Sequence, residues 1–351
     1  MRATKGAVLG WVVVAGLLVA WPGWGQPVEH TLTLEADAPP VAAEAPASVW
    51  PKPEQVTVGV YLNDIQSIDL KTHTYAVDAY FWFRWHNPDL DPASTLEFIN
   101  PSDQWGHTAR LGYEKPVQLP TGEWYQTTRI QGRFSKKLPL FNYPFDRQTL
   151  DIAFEDSLSE AHDLVYVLGE DPIAINPHLI LPGYDIGQPR VRVSQESYPT
   201  NFGDLRAPEP GLYARVRVEL PVTRPVLAYS AKLLLPVLCV IICAMLMFLF
   251  APRYVDARVG VGITALLTIV ALQMTYNQDL PDVGYLMLMD KIYICSYLYV
   301  IVGLAAVVRT TRMVDSGAPE STMQRRGVLV GLMVAYLAAT GVLIGQAVYA
   351  G

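Results

Sequence analysis

The amino-acid sequence predicts an N-terminal all-β, immunoglobulin-like sandwich followed by an all-α bundle of four membrane-spanning helices. Three observations carry that prediction. Charged residues are frequent up to about Arg224 and absent from long stretches beyond Ala231. Hydrophobic residues alternate with a period of two in the first part. Four long runs in the second part carry no charge at all. The expected division gives residues 54–225 to an exported sandwich and 226–351 to a membrane domain.

Ahead of the sandwich, Arg2 and Lys5 precede an apolar run from Ala7 to Trp21, closed by a turn at Pro22 and Gly23. This layout is that of a secretory signal peptide over residues 1–25, with cleavage expected near Gln26. Residues 26–53, rich in Ala, Pro and Glu, read as a flexible leader.

From Val56 the chain turns to period two. Val56, Val58, Val60 and Leu62 alternate with Thr57, Gly59, Tyr61 and Asn63, the pattern of a half-buried strand. A second strand runs from Tyr75 to Trp85. Val77, Ala79, Phe81, Phe83 and Trp85 form its apolar face, and Asp78, Tyr80, Trp82 and Arg84 form the other. A charged face carrying two large aromatics suits a subunit interface, where Tyr, Trp and Arg concentrate. Further strands are expected around Tyr125–Phe134, Gln148–Phe154, Val191–Gln195 and Tyr213–Leu220, with turns at Leu119-Pro-Thr-Gly122 and Leu181-Pro-Gly183. The economical fold is an antiparallel sandwich of roughly 170 residues.

Cys239, Cys243 and Cys295 all fall in predicted membrane helices, so the exported domain is expected to rest on its core alone. The histidines are scattered without zinc-ligand spacing, and no metal or cofactor is expected. The net charge of -7 lies mainly in the first part, which gives no basic footprint for nucleic acid. No HExxH, GxSxG or phosphate loop occurs, so an enzyme is not expected.

The uncharged runs are Leu233 to Phe250, Val259 to Gln278, Ile292 to Val308 and Gly327 to Gly351. The expected helices span about 229–251, 257–278, 283–309 and 326–350. Each can cross a hydrocarbon core ~30 Å thick at a 1.5 Å rise per residue. Arg253 and Arg258 lie between the first two spans, and Arg309, Arg312, Arg325 and Arg326 between the last two. The connection between the second and third, Asp279-Leu-Pro-Asp282, has no base. That pattern places the β-domain and the C-terminus outside.

The second span is the least lipid-like. Gly260, Thr264, Leu267, Ala271, Met274 and Gln278 are spaced 4, 3, 4, 3, 4 and share one narrow helical face, with Asp256 one turn below. Several copies around an axis would stack this face into rings: Thr264 against ions, Leu267 as an apolar constriction, Asp256 as a carboxylate ring at the inner mouth. The same small-residue spacing also suits a helix–helix seam, and periodicity alone leaves both readings open.

Arg133-Phe-Ser-Lys-Lys-Leu-Pro-Leu-Phe-Asn-Tyr-Pro-Phe-Asp-Arg-Gln-Thr-Leu150 resembles the signature loop of the pentameric ligand-gated ion channels, with Pro144-Phe145-Asp146 its most specific part. The chain lacks the two cysteines that flank this loop in animal receptors, as bacterial members do. Arg224 followed by Pro236, the run Arg258-Val-Gly-Val-Gly-Ile-Thr-Ala-Leu-Leu-Thr268, and Leu280-Pro281 extend the resemblance to about residues 54–350. It implies a homopentamer in the lipid of a prokaryotic plasma (inner) membrane, with a periplasmic exterior, that conducts monovalent cations. Leu267 takes the place of the hydrophobic gate, and Asp256 that of the charged selectivity position beside Arg258.

The resemblance also implies a coupling set. Asp146 and Arg224 match an acid–base pair, Pro281 and Tyr285 match the linker between the second and third helices, and Asp69, Lys71 and His73 lie on the loop between the first two strands. Leu70 stands where many relatives carry an acid. The implied ligand site lies between sandwiches: Tyr80 and Trp82 on one wall, Glu155 facing them to neutralise a cation, and Tyr198 and Phe202 on the capping loop. Asp156-Ser157-Leu158 offers no aromatic where amine-binding relatives have one.

The expected function is a subunit of a cation-selective channel opened by an unknown small extracellular ligand or by protons. Histidine is the side chain that changes charge between about pH 5 and 8, which makes His73 a candidate reporter of external pH. The alternative is a non-conducting membrane receptor that uses the sandwich for binding only.

Overall fold

The computed structural model describes residues 52–102, 108–203, 211–317 and 322–350, with side chains in the last segment from 327 to 349. The expected signal peptide, the leader up to residue 51 and the side chains of Arg325 and Arg326 lie outside the described residues. Two compact units divide the rest. One comprises 52–138 and 148–223, and the other 139–147 together with 224 onward.

The first unit is a two-sheet sandwich of eleven strands among the described residues. These are β1 (Glu54–Asp69), β2 (Thr74–Trp85), β3 (Leu96–Phe98), β4 (Thr108–Leu111), β5 (Val117–Gln118), β6 (Trp124–Ser135), β7 (Arg147–Asp156), β8 (Leu164–Ile175), β9 (Asp185–Ile186), β10 (Arg190–Tyr198) and β11 (Gly211–Thr223). The first sheet runs β4-β6-β2-β1-β8 with β5 on β6, and the second β10-β11-β7-β3 with β9 on β11.

Alternation places Val58, Val60, Phe81 and Phe83 on the inner face of the first sheet and Phe154, Val216 and Val218 on that of the second, all of them buried. Their rings interlock edge to face, Phe81 on Phe154 at 5.2 Å and Phe98 on Phe134 at 5.3 Å, a geometry that aromatic quadrupoles prefer.

Two sequence expectations need correction here. The sandwich is not wholly antiparallel: β8 joins β1 parallel. β7 lies in the second sheet, so the chain crosses between sheets before β8 and arrives alongside β1 in the same direction. Five strands also escaped the periodicity. β3, β4, β5 and β9 are at most four residues long, too short to show a period. β8 is interrupted by Gly169-Glu-Asp-Pro172, where its register against β1 shifts between Val58 and Val60.

The second unit holds α1 (Val226–Ala244), α2 (Leu246–Leu249), α3 (Val255–Asn277), α4 (Leu288–Asp315) and α5 (Thr322–Ala350). Four stretches in it are long and apolar enough to cross a membrane: Val226–Leu249, Val255–Asn277, Leu288–Asp315 and Gly327–Tyr349. The expected third helix starts later than residue 283, at Leu288. There Asp290 accepts the Met287 N–H at 3.0 Å and fixes the first turn.

Helix contacts use small residues on the buried side of α3. A Cβ on Gly262 would lie 2.4 Å from Leu304 of α4, so only glycine permits that approach. A Cβ on Gly260 would meet nothing within 4 Å.

Candidate functional site

The two faces of α3 differ sharply. Arg258, Gly262, Ala265, Ile269 and Tyr276 are buried against the rest of the unit. Gly260, Thr264, Leu267, Ala271, Met274 and Gln278 are all exposed, Leu267 by 64% and Met274 by 66%. Asp256 is exposed at the foot of the same helix. Other spans expose mainly apolar side chains, Leu227, Leu235 and Ile242 on α1 and Val330, Val334 and Leu337 on α5, with Lys232, Arg309, Arg312 and Gln346 exposed nearer the helix ends. The exposed side of α3 adds Thr268 and Thr275, whose hydroxyls donate to the carbonyls of Thr264 at 2.8 Å and Ala271 at 3.0 Å.

Asp256 and Arg258, two positions apart in sequence, part company in space. Arg258 is fully buried, and its Nε donates to the Met247 carbonyl at 2.8 Å. The carboxylate of Asp256 thus stands on the exposed side of the helix and Arg258 on its buried side.

The coupling candidates of the helical unit come together around the loop 139–147. Arg224 Nε donates to Asp146 Oδ1 at 3.1 Å, and both side chains are buried. The guanidinium lies over Tyr143 at 4.7 Å and over Tyr229 at 5.3 Å, so the cation rests between aromatic faces. Burial pushes the Tyr143 phenol above its ordinary value while the Arg224 charge pulls it back. The Leu140 N–H donates to the Tyr285 hydroxyl at 3.0 Å, the Tyr285 ring stacks on Phe141 at 3.8 Å, and the Leu288 N–H donates to the Phe141 carbonyl at 2.9 Å. Pro281 is half-buried in the connection before Tyr285. Phe141, Tyr143 and Tyr229 had no role read from sequence, because nothing local marks an aromatic as the partner of a distant arginine.

In the strand unit, Asp69 caps its own turn by accepting the N–H groups of Lys71 at 2.9 Å and Thr72 at 3.2 Å. Leu70 packs against the sandwich core. His73 occupies the left-handed region at φ 55°, and its Nδ1 accepts the Leu138 N–H at 3.3 Å.

The ligand candidates fall in two groups. On the outer face of the first sheet, Arg129 forks onto Asp78 with contacts of 2.9 and 2.6 Å and lies over the Tyr80 ring at 5.1 Å. These hydrogen bonds hold the Asp78 carboxyl below its ordinary value despite burial. Trp82 packs on Gly59, where a Cβ would come within 2.2 Å of the indole.

On the outer face of the second sheet, Tyr198, Phe202 and Tyr213 form a cluster with centroid separations of 5.4, 5.7 and 6.4 Å. Glu155 is buried beneath it. Its two oxygens accept from Arg215 Nε at 2.7 Å and from the Tyr198 hydroxyl at 3.1 Å. The Glu155 charge, expected to await a cationic ligand, is thus already met within the chain. Burial, and then the carboxylate beside it, push the Tyr198 phenol up. Arg215 also approaches Glu196 at 3.6 Å, and Glu196 in turn Arg217 at 3.9 Å. Tyr213 and Arg215 were missed as site residues, although the alternation Tyr213, Arg215, Arg217, Glu219 along β11 already assigned them to one polar face.

No family model matches the chain. Curated relatives do. A proton-gated ion channel of Gloeobacter violaceus is 25% identical over 350 residues, 95% of this chain and 90% of the relative. A glutamate-gated chloride channel subunit beta of Haemonchus contortus is 27% identical, covering 68% of this chain and 59% of that one. An acetylcholine-gated chloride channel subunit acc-2 of Caenorhabditis elegans is 22% identical, covering 71% and 59%.

Proposed function

This chain is a homologue of the pentameric ligand-gated ion channels, and from that premise we propose that it forms a homopentameric, cation-conducting pore lined by α3. The observation that carries the reading is the division of α3 into a buried face and an exposed one. A helix whose exposed side alternates hydroxyl, amide, small and apolar residues is poorly suited to lipid, where polar groups are costly. Five such faces around an axis give a water-lined path with Leu267 as an apolar constriction that closes by dewetting. The packing glycine inside the unit is Gly262, which leaves Gly260 available to the pore.

Cation preference is supported by the separation of Asp256 from Arg258. A ring of exposed carboxylates favours cations, and Arg258 lies on the buried side of the helix and not on the side that carries that ring. Two relatives are chloride channels, so this reading rests on the residues here and not on the relatives. Arg253, Arg309 and Arg312 flank inner connections in the proposed topology, with the sandwich and C-terminus facing the exterior of a prokaryotic plasma membrane. The loop 139–147, held among the helices by Asp146–Arg224 and Tyr285, is covalently continuous with β6 and β7 and gives strand motion a route to the helices.

The test is electrophysiology on the reconstituted chain. Leu267→Ala is expected to open at weaker stimulus and Asp256→Ala to lose cation preference. If wild type and Leu267→Ala are both silent across ligands and pH, the chain is a binding receptor and not a channel.

Protons as the stimulus have one specific support besides the proton-gated relative. Nδ1 of His73 must be unprotonated to accept the Leu138 N–H, and Leu138 directly precedes the loop held among the helices. Protonation turns that acceptor into a donor and breaks the bond. The charged groups on the chain around it are Asp69 and Lys71 on its own turn and Arg133, Lys136 and Lys137 at the end of β6. Currents of His73→Gln recorded from mildly alkaline to acid pH are expected to lose part of the proton response, and an unaltered response ends this assignment.

A further inference from the structure

The outer face of the second sheet has the parts of a cation-binding cage: three mutually contacting aromatic rings and a buried carboxylate. Phe202 completes it under strain. It is 66% exposed and sits at φ 55°, a left-handed conformation unusual for a bulky side chain, while its ring packs on Tyr198 and Tyr213. Backbone strain of this kind persists where neighbouring contacts over-determine it, and it clusters at ligand clamps.

The cage is not vacant electrically. The Arg215 guanidinium lies over the Tyr198 ring at 5.9 Å, donates through NH2 to the Tyr198 hydroxyl at 2.6 Å, and binds Glu155 through Nε at 2.7 Å. A cation over an aromatic face, paired with a buried carboxylate, is the arrangement a free organic cation makes in such a cage. The same substitution recurs on the other candidate wall, where Arg129 covers Tyr80 and pairs with Asp78.

We propose that Arg215 is a tethered cation that occupies this cage from within the chain, closing it to free organic cations, and that a small quaternary ammonium ion takes its place when the guanidinium is removed. The physical reason is charge balance. Glu155 is buried and can neutralise one cation in contact, so an incoming ammonium must either displace Arg215 or sit beside it against like-charge repulsion. Wild-type protein therefore discriminates against amines at this site even though the rings that would bind them are present. The proposal rests on reading the Tyr198–Phe202–Tyr213 cluster as a ligand pocket, and it refines the stimulus: an amine agonist acting here is excluded, which leaves protons or a ligand of other chemistry.

The test is thermal unfolding of the full chain in detergent micelles, with tetramethylammonium chloride compared against sodium chloride at equal ionic strength. Arg215→Gln keeps amide donors for Glu155 and Tyr198, and Arg215→Ala clears more space. At least one of them is expected to gain about 3 °C in midpoint with tetramethylammonium. Wild type and the double variant Glu155→Gln/Arg215→Gln are expected to gain nothing.

A variant recovered folded only when tetramethylammonium is present counts as the same rescue. No response in either single variant, no folded protein in either medium, or an equal response in wild type would overturn the proposal and leave Glu155–Arg215 as a structural ion pair. The melting readout needs no current, so its failure leaves the pore reading intact. Conversely, silent channels with a positive rescue would leave the tethered cation as a property of the sandwich.

Discussion

Asp146–Arg224 in the helical unit and Glu155–Arg215 in the strand unit are built from the same chemistry. Each joins a buried carboxylate to an arginine that lies over a tyrosine ring. They differ in what surrounds them. Arg224 is enclosed between Tyr143 and Tyr229, with side-chain exposures of 3% and 4% for the pair. Arg215 opens onto a ladder through Glu196 and Arg217, beneath a ring that faces outward. An enclosed pair is out of reach of water when one charge is removed, whereas a laddered pair can share its charge with neighbours. The comparison separates a fastening from an accessible site.

The largest effect is expected at the enclosed pair. Arg224→Met should lower unfolding stability by about 3–5 kcal/mol, because it takes the opposite charge away from a buried carboxylate. Denaturant unfolding in micelles measures this, and adding Asp146→Leu should recover most of the loss. Arg215→Met should cost less, about 2 kcal/mol, since Glu155 keeps the Tyr198 hydroxyl as donor. An equal or larger loss at Arg215 would erase the distinction between the two sites.

The smallest effect belongs to Asp78–Arg129, where the arginine is 37% exposed. Arg129 depresses the Asp78 carboxyl, so the pair's contribution is fully present above about pH 3.9 and is lost as pH falls through the lowered folded value. Asp78→Asn should lower stability at neutral pH by about 1 kcal/mol or less, and the gap to wild type should close in acid. A gap that persists in acid would mean that packing, and not charge, makes the contribution.

The partners in these pairs were not legible in the sequence for a simple reason. They lie 78, 60 and 51 residues apart, on strands and connecting segments whose adjacency depends on sheet order and loop path. Alternation along β2 did place Asp78, Tyr80 and Trp82 on one face, because side chains of a strand point to opposite sides by construction. It could not say that Arg129, opposite Tyr80 in the register, would claim both Asp78 and the ring. The identity of the signature loop was plain from Pro144-Phe145-Asp146, yet its membership in the helical unit became visible only in the folded chain.

What the sequence by itself determined is whatever follows from periodicity and solvent. Period two made the sandwich, uncharged length made four spans, and the 4-3 spacing from Gly260 to Gln278 put one set of residues on one side of α3, since these patterns are local consequences of strand and helix geometry. What only the tertiary structure decided is which charges are visible and which are spent. Asp256 is exposed while Arg258 is turned into the bundle, and Glu155 is already neutralised by Arg215. A charge acts through its distance to other charges and its access to water, and neither is defined until distant segments have packed together.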